Sequence, residues 1–274
     1  MHPVCFRIGS LTVHWYGVLM AVGFLLGFLN WVLLSRREGR RFEVLSDLLF
    51  WIMVGGIVGA RVAYVIADLA YFAKHPLEII RVDRGGLIYY GGLIGAGVAI
   101  WWFARRRKQR MFDLLDLVIT SVPLAHALGR IGCFLNGCCF GTRWAGPWAI
   151  RYPADSHAWC DHVNAGLLSR FQPHSLPVHP VQLYEAGLNL LLFAALVWLY
   201  RHRRVQGVVV SSYLLGYPLL RFGLEFLRGD ARTVLGPFSA AQWISIGLFA
   251  AGCVLMAWTR RRAVRAGLPE SHED

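Results

Sequence analysis

The chain has 274 residues, of which 56% are hydrophobic, 14% aromatic and 16% charged, with a formal net charge of +12. A soluble globular domain averages about 25% charged residues, so this composition excludes an ordinary soluble enzyme. The basic excess sits in short Arg blocks between apolar stretches of about 20 residues, which points to membrane orientation and anionic headgroups and not to nucleic acid.

Seven apolar segments are predicted as membrane helices: residues 12–34, 46–68, 86–104, 113–135, 181–200, 207–228 and 238–259. The first follows Met1–Ser10, which carries little positive charge, and it lacks an A-x-A cleavage pattern. It is expected to stay as a helix and not to be removed as a signal peptide. The third is short and glycine-rich, with Gly91, Gly92, Gly95 and Gly97 permitting close approach of a helix or a ligand.

Lys and Arg set the orientation. The breaks after segments one, three, five and seven hold 16 of them, whereas the opposite side holds 9, including Lys74, Arg84, Arg143, Arg228 and Arg232. The positive-inside rule then puts the N-terminus outside and the C-terminus in the cytoplasm. The expectation is an all-α, polytopic, seven-helix protein of the bacterial cytoplasmic (inner) membrane. It forms a single integral membrane domain over 1–274, with an outward-facing loop at about 136–180. A loop that long is usually functional or folds on itself.

Polar residues inside the segments mark the candidate site. In the fourth, His126, Arg130, Cys133 and Gly137 are spaced 4, 3 and 4 residues apart, flanked by Gly129, Gly132 and Asn136. In the sixth, Tyr217, Arg221, Glu225 and Arg228 are spaced 4, 4 and 3. At about 100° per residue each set forms one stripe, and lipid cannot solvate such a stripe. An interhelical salt-bridge network is one explanation, in which Glu225 pairs with Arg221 or Arg228. The other is a pair of Arg forks that clamp a phosphate at the outer interface. His179 and Pro180 open the fifth segment, with Gln182, Tyr184 and Glu185 at the same depth.

The run G-R-I-G-C-F-L-N-G at Gly129–Gly137 resembles the signature of bacterial prolipoprotein diacylglyceryl transferases, G-R-x-G-N-F-x-N-G-E. H-P-V-Q-L-Y-E from His179 to Glu185 resembles a second motif of that family. The Tyr217, Arg221, Glu225 and Arg228 set resembles a third, and Trp15-Tyr16-Gly17 a fourth. The resemblance covers nearly the whole chain. It implies transfer of a diacylglyceryl group from phosphatidylglycerol to the lipobox cysteine of a prolipoprotein, with glycerol phosphate leaving. Its partners would be that lipid, the lipobox segment and the membrane, and it calls for no cofactor and no metal. By position, Arg130 and Arg221 would hold the headgroup and stabilise the leaving phosphate. Tyr16, Asn136, Gly141, Tyr217 and Arg228 would line the phospholipid site, and Tyr90, His179 and Glu225 join the two arginines as catalytic candidates.

Three positions depart from the family. Tyr90 stands before Gly91-Gly92 where the family has a His proposed to help deprotonate the thiol. Cys133 stands for an Asn and Cys138 for a Glu. Tyrosine, with an ordinary pKa of about 10, is a poor base at neutral pH. His179, Glu225 or cationic surroundings would then activate the thiol. A paralogue with another acceptor, a transporter and a metal or redox protein are the alternatives. The transporter lacks paired broken helices. The metal protein lacks C-x2-C spacing, and adjacent Cys138-Cys139 is a poor chelating pair. A disulfide from Cys138 or Cys139 to Cys160 is expected to tether the outer loop.

Overall fold

The structure, a computed structural model, describes residues 4–9, 11–82, 85–230, 232 and 234–265; Arg84 of the outer-side charges lies outside them. The chain opens with a hairpin, β1 (Val4–Ile8) antiparallel to β2 (Leu11–His14). The segment expected to be helical from residue 12 is therefore strand until His14. Gly9, at φ +58°, makes the turn, and β-branched Thr12 and Val13 suit the strand. Among the described residues nine α-helices follow: α1 (Trp15–Ser35), α2 (Phe42–Ala67), α3 (Leu69–Lys74), α4 (Tyr89–Arg106), α5 (Met111–Asn136), α6 (His157–Asn164), α7 (Val181–His202), α8 (Val208–Glu225) and α9 (Ala240–Arg265). A second hairpin, β3 (Val234–Leu235) with β4 (Phe238–Ser239), leads into α9.

Helices thus occupy all seven apolar segments, and the protein is a multi-pass membrane protein. Five of the helices are long and apolar enough to cross a bilayer: α1 with its 3-10 extension to Glu38, α2, α5, α7 and α9. The other two, α4 and α8, have 18 residues each. Large apolar side chains on the outer faces of these helices are uncovered, among them Leu25, Leu191 and Val254 at about 70% exposure. Hydrocarbon accepts them at no cost, whereas water would not.

The described residues form two compact units. In residues 31–117, α2 packs along α4 through facing glycines. A Cβ at Gly95 would lie 2.1 Å from the Gly55 carbonyl oxygen, and one at Gly91 2.5 Å from that of Gly59. Small residues four apart on both helices are what lets the backbones meet. The glycines of the third segment are therefore packing residues, except Gly97, which faces open space. Arg61, an intramembrane charge by sequence, donates to the carbonyls of Ile79 at 2.8 Å and of Gly85 and Gly86 at 3.0 Å. It holds the loop between α3 and α4, and so is structural.

The other unit contains residues 1–30 and 118–274. In it α1 lies against α5, where Asn30 donates to Thr120 Oγ1 at 2.8 Å and Ser121 Oγ at 3.0 Å, and the Ser121 hydroxyl donates to the Gly27 carbonyl at 3.0 Å. Helix α8 packs between α7 and α9. The long loop after α5 folds on itself around Phe140, Tyr152, Ala158 and Val178, with Phe134 and Ile150 against them. Tyr152 is fully buried, yet its hydroxyl oxygen accepts from Gln182 of α7 at 2.9 Å, which ties the loop to the helix.

Candidate active site

Three helices and one loop strand assemble the site. Arg130, near the end of α5, puts its Nε 3.0 Å from Glu185 Oε2 on α7. Arg221 Nη1 meets Glu225 Oε2 one turn along α8 at 2.5 Å. The two glutamate side chains are almost completely buried, with exposures of 4% and 2%, whereas the arginine side chains keep 21% and 11%. Buried carboxylates need partners, and here the partners are the two arginines of the sequence stripes. The stripes themselves touch. The His126 ring of α5 lies 5.0 Å from the Tyr217 ring of α8, and Tyr217 stacks on Tyr213 at 5.4 Å.

Glu225 gathers more than the sequence suggested. The Ser239 hydroxyl donates to its Oε1 at 2.7 Å, and Arg232 Nη1 lies 3.2 Å from the same oxygen. Arg228 pairs instead with Asp230, Nε to Oδ1 at 2.9 Å. The pairing of Glu225 with Arg228 is thus not formed. Arg228 lies beyond the last residue of α8, where the chain turns towards β3, and Asp230 is the nearer partner. Arg232 and Glu185 had no assigned role by sequence. The first was one more outer-side charge, the second one of a polar trio, and partners across helices leave no spacing signal.

A short stretch of loop knits the motifs together. The Gly141 N–H donates to the His179 carbonyl and the His179 N–H to the Thr142 carbonyl, both at 3.0 Å. On the other edge the Thr142 N–H donates to the Leu227 carbonyl at 2.8 Å, and the Gly229 N–H to the Phe140 carbonyl at 3.0 Å. Residues 140–142 therefore run between the second and third motifs. Gly141 has to be glycine, because a Cβ there would sit 2.6 Å from His179 and from Val181. The His179 ring stacks on Trp144 at 4.3 Å and has Tyr184 Oη 3.4 Å from its Nδ1. Tyr16 of α1 approaches the backbone at Gly132, where a Cβ would meet its ring at 2.9 Å. Tyr90 opens α4 in the other unit and is 54% exposed.

The cysteines depart from expectation. All six are free thiols, so Cys160 is not bridged. The sulfurs of Cys133, Cys138 and Cys139 instead lie within 4.8 Å of one another. Adjacent side chains in extended backbone point apart, but Gly137 and Cys139 take left-handed conformations, φ +71° and +61°. That turn brings both neighbours round to Cys133. The Cys138 thiol donates to the Cys133 carbonyl at 3.7 Å.

Among the described residues, four buried polar atoms without a hydrogen-bond partner fall on α5 and α7: His126 Nδ1, Gln182 Oε1, Glu185 Oε1 and Asn189 Oδ1. Buried polar groups are nearly always satisfied in a resting core, so such a concentration marks a place built for something polar. Residues 3–258 match the family model for prolipoprotein diacylglyceryl transferase. The chain belongs to that family. Similar curated relatives named phosphatidylglycerol–prolipoprotein diacylglyceryl transferase occur in Bordetella avium, 35% identical over 96% of both chains. Others come from Methylibium petroleiphilum, 36% identical over 95% of this chain and 97% of the relative, and from Pseudoalteromonas atlantica, 36% over 98% and 94%. The prolipoprotein diacylglyceryl transferase motifs quoted above thus sit in one unit, with Arg130 and Arg221 engaged by buried carboxylates.

Proposed function

We propose that this chain transfers a diacylglyceryl group from phosphatidylglycerol to the lipobox cysteine thiol of a prolipoprotein in the bacterial inner membrane, releasing glycerol phosphate. The observation that carries the proposal is the pair of arginines, each on a family motif and each held by a buried carboxylate. Glu185 holds Arg130 through Nε at 3.0 Å, and a guanidinium offers five N–H donors in all. Arg221 Nη1 meets Glu225 Oε2 at 2.5 Å. Both can turn donors towards a phosphodiester. As the carbon–oxygen bond breaks, charge builds on the phosphate oxygen, and preorganised guanidiniums lower that barrier.

Glu225, Ser239 and Arg232 position Arg221. Tyr16, Asn136, Gly141, Tyr217 and Arg228 line the phospholipid side in this reading, and His179 takes up the thiol proton. Tyr90 enters through the resemblance alone, as an orienting group. Seven spans with the N-terminus outside fit the Lys/Arg asymmetry. Helices α4 and α8, at 1.5 Å per residue, reach about 27 Å, close to a hydrocarbon core of about 30 Å. The test is the purified full chain with phosphatidylglycerol vesicles and a lipobox peptide. The expected product is a diacylglyceryl thioether on the peptide cysteine, absent when that cysteine is serine. A folded protein that makes no thioether overturns the proposal.

A further inference from the structure

We infer that Cys133, Cys138 and Cys139 form a three-thiolate zinc site whose open fourth position takes the acceptor thiol of the lipobox peptide. This rests on the transferase reading above. Zinc binds thiolates tetrahedrally with Zn–S bonds of about 2.3 Å, which sets sulfur–sulfur edges near 3.8 Å. Three sulfurs already within 4.8 Å of one another need only small side-chain rotations to reach that geometry. The backbone has been bent to hold them so, through the positive φ of Gly137 and Cys139. The Cys138 N–H donates to the Cys133 carbonyl at 3.2 Å, which fixes the turn. Gln182 pins its far side by donating to the Cys138 carbonyl at 2.7 Å.

All three cysteines are half-buried, so a ligand can still approach. Three protein ligands plus one open position is the pattern of reactive zinc, whereas structural zinc is closed by a fourth. Arg130 stands one helical turn before Cys133 on α5. A zinc tris-thiolate carries one net negative charge, which a cation one turn away accommodates. The site therefore adjoins the arginine proposed to hold the phosphate.

The chemistry balances without any other reagent. A thiol that coordinates zinc loses its proton, which His179 or water takes up. The zinc-bound sulfur forms a bond to the terminal glyceryl carbon of the lipid, the bond from that carbon to the phosphate oxygen breaks, and its electron pair leaves on glycerol phosphate. Nothing is oxidised or reduced. A zinc-held thiolate also supplies the activation for which Tyr90 is a poor agent.

The experiment uses the full chain purified in detergent under reducing conditions. Elemental analysis should find about one zinc per chain. Cobalt substituted for zinc should give the near-ultraviolet sulfur-to-cobalt charge-transfer bands of thiolate ligation. Cys133→Ser, Cys138→Ser and Cys139→Ser should each weaken cobalt binding by more than about tenfold, whereas Cys253→Ser should not. Adding lipobox peptide should intensify the charge-transfer bands, and its serine analogue should leave them unchanged. Cobalt that binds equally to the triple serine variant overturns the site. So does a Cys133–Cys138 disulfide as the sole state of the fresh protein, or full transferase activity in zinc-free protein. Copper(I) at the cysteines with no response to peptide overturns the thiol-activating role. Peptide-responsive cobalt bands with no thioether from any phospholipid would leave the site standing and sink the transferase reading instead.

Discussion

Arg130 and Glu185 meet across 3.0 Å between α5 and α7, the arginine side chain partly open and that of the glutamate almost closed off. The asymmetry has a direct consequence: the pair orients the arginine and leaves part of its fork for a ligand. Arg130→Ala should cut transferase turnover by about 10² to 10³, the loss of roughly 3–4 kcal/mol of transition-state stabilisation. Arg130→Lys should do nearly as much damage, because the charge survives but the planar fork does not. Removing Arg130 also strands Glu185, which costs stability. Arg130→Ala with Glu185→Gln should therefore recover the thermal midpoint without recovering the rate. Turnover restored in the double variant would sink the ligand role.

Glu225 positions Arg221 and Arg232. Glu225→Gln keeps the Ser239 hydrogen bond but loses both charge contacts, and turnover should fall at least about tenfold with the lipid KM rising. Arg232→Ala, one contact further out, should fall less. Equal losses in both variants would argue against this order of dependence.

The positive-inside count predicts a cytoplasmic C-terminus. A C-terminal reporter active only outside the cytoplasm should stay silent, and one active inside should signal. The reverse result would invert every side assigned from the sequence.

Gly95 is the tightest contact between α2 and α4, its added Cβ falling 2.1 Å from the Gly55 carbonyl. Gly95→Ala should force the helices apart and cost roughly 1–3 kcal/mol, read as a lower thermal midpoint. Gly97→Ala, in open space, should change it little. Matching midpoints would mean that the glycine contacts contribute nothing to this unit.

His162 is buried in the long loop after α5, where its Nδ1 accepts from the Leu176 N–H at 3.3 Å and the Phe140 ring lies 5.6 Å away. Burial, then the charge of Arg143, hold its imidazole below the ordinary value, against a smaller pull from Asp161. The unfolded chain binds a proton that the folded loop refuses. The stability from this site is therefore full above a pH of about 6.5 and falls as the pH drops below it. The thermal midpoint of the wild type should drop on acidification, and that of His162→Gln should drop less. Parallel slopes would remove His162 from the account.

Much of the site could be read from residue spacing because intramembrane charge is costly wherever it faces lipid. Arg130, Arg221 and Glu225 stood out on helical stripes, and the structure pairs each of them. What spacing could not give were partners from elsewhere: Glu185 for Arg130, Arg232 and Ser239 for Glu225. Those depend on which helices become neighbours. Gly91 and Gly95 were visible as permissive residues, but their match to Gly55 and Gly59 required both helices at once. The cysteines differ from expectation for a local reason. By spacing, adjacent Cys138-Cys139 is a poor chelating pair, and Cys160 is the expected disulfide partner. A single left-handed residue at Cys139 reverses that, and non-glycine positive φ is rare enough that sequence gives no warning of it.

The stitch of residues 140–142 between His179 and Leu227–Gly229 also dictates an order of assembly. A growing chain that has delivered the first two motifs holds this strand by one edge only. Its second edge arrives with residues 227–229, some 85 positions after the strand itself. Arg130 and Glu185 can find each other early, while Arg221, Glu225 and Arg232 are still to come. The completed pocket is thus among the last features to form, and a nascent protein stalled before α8 is a membrane-inserted chain without a finished site.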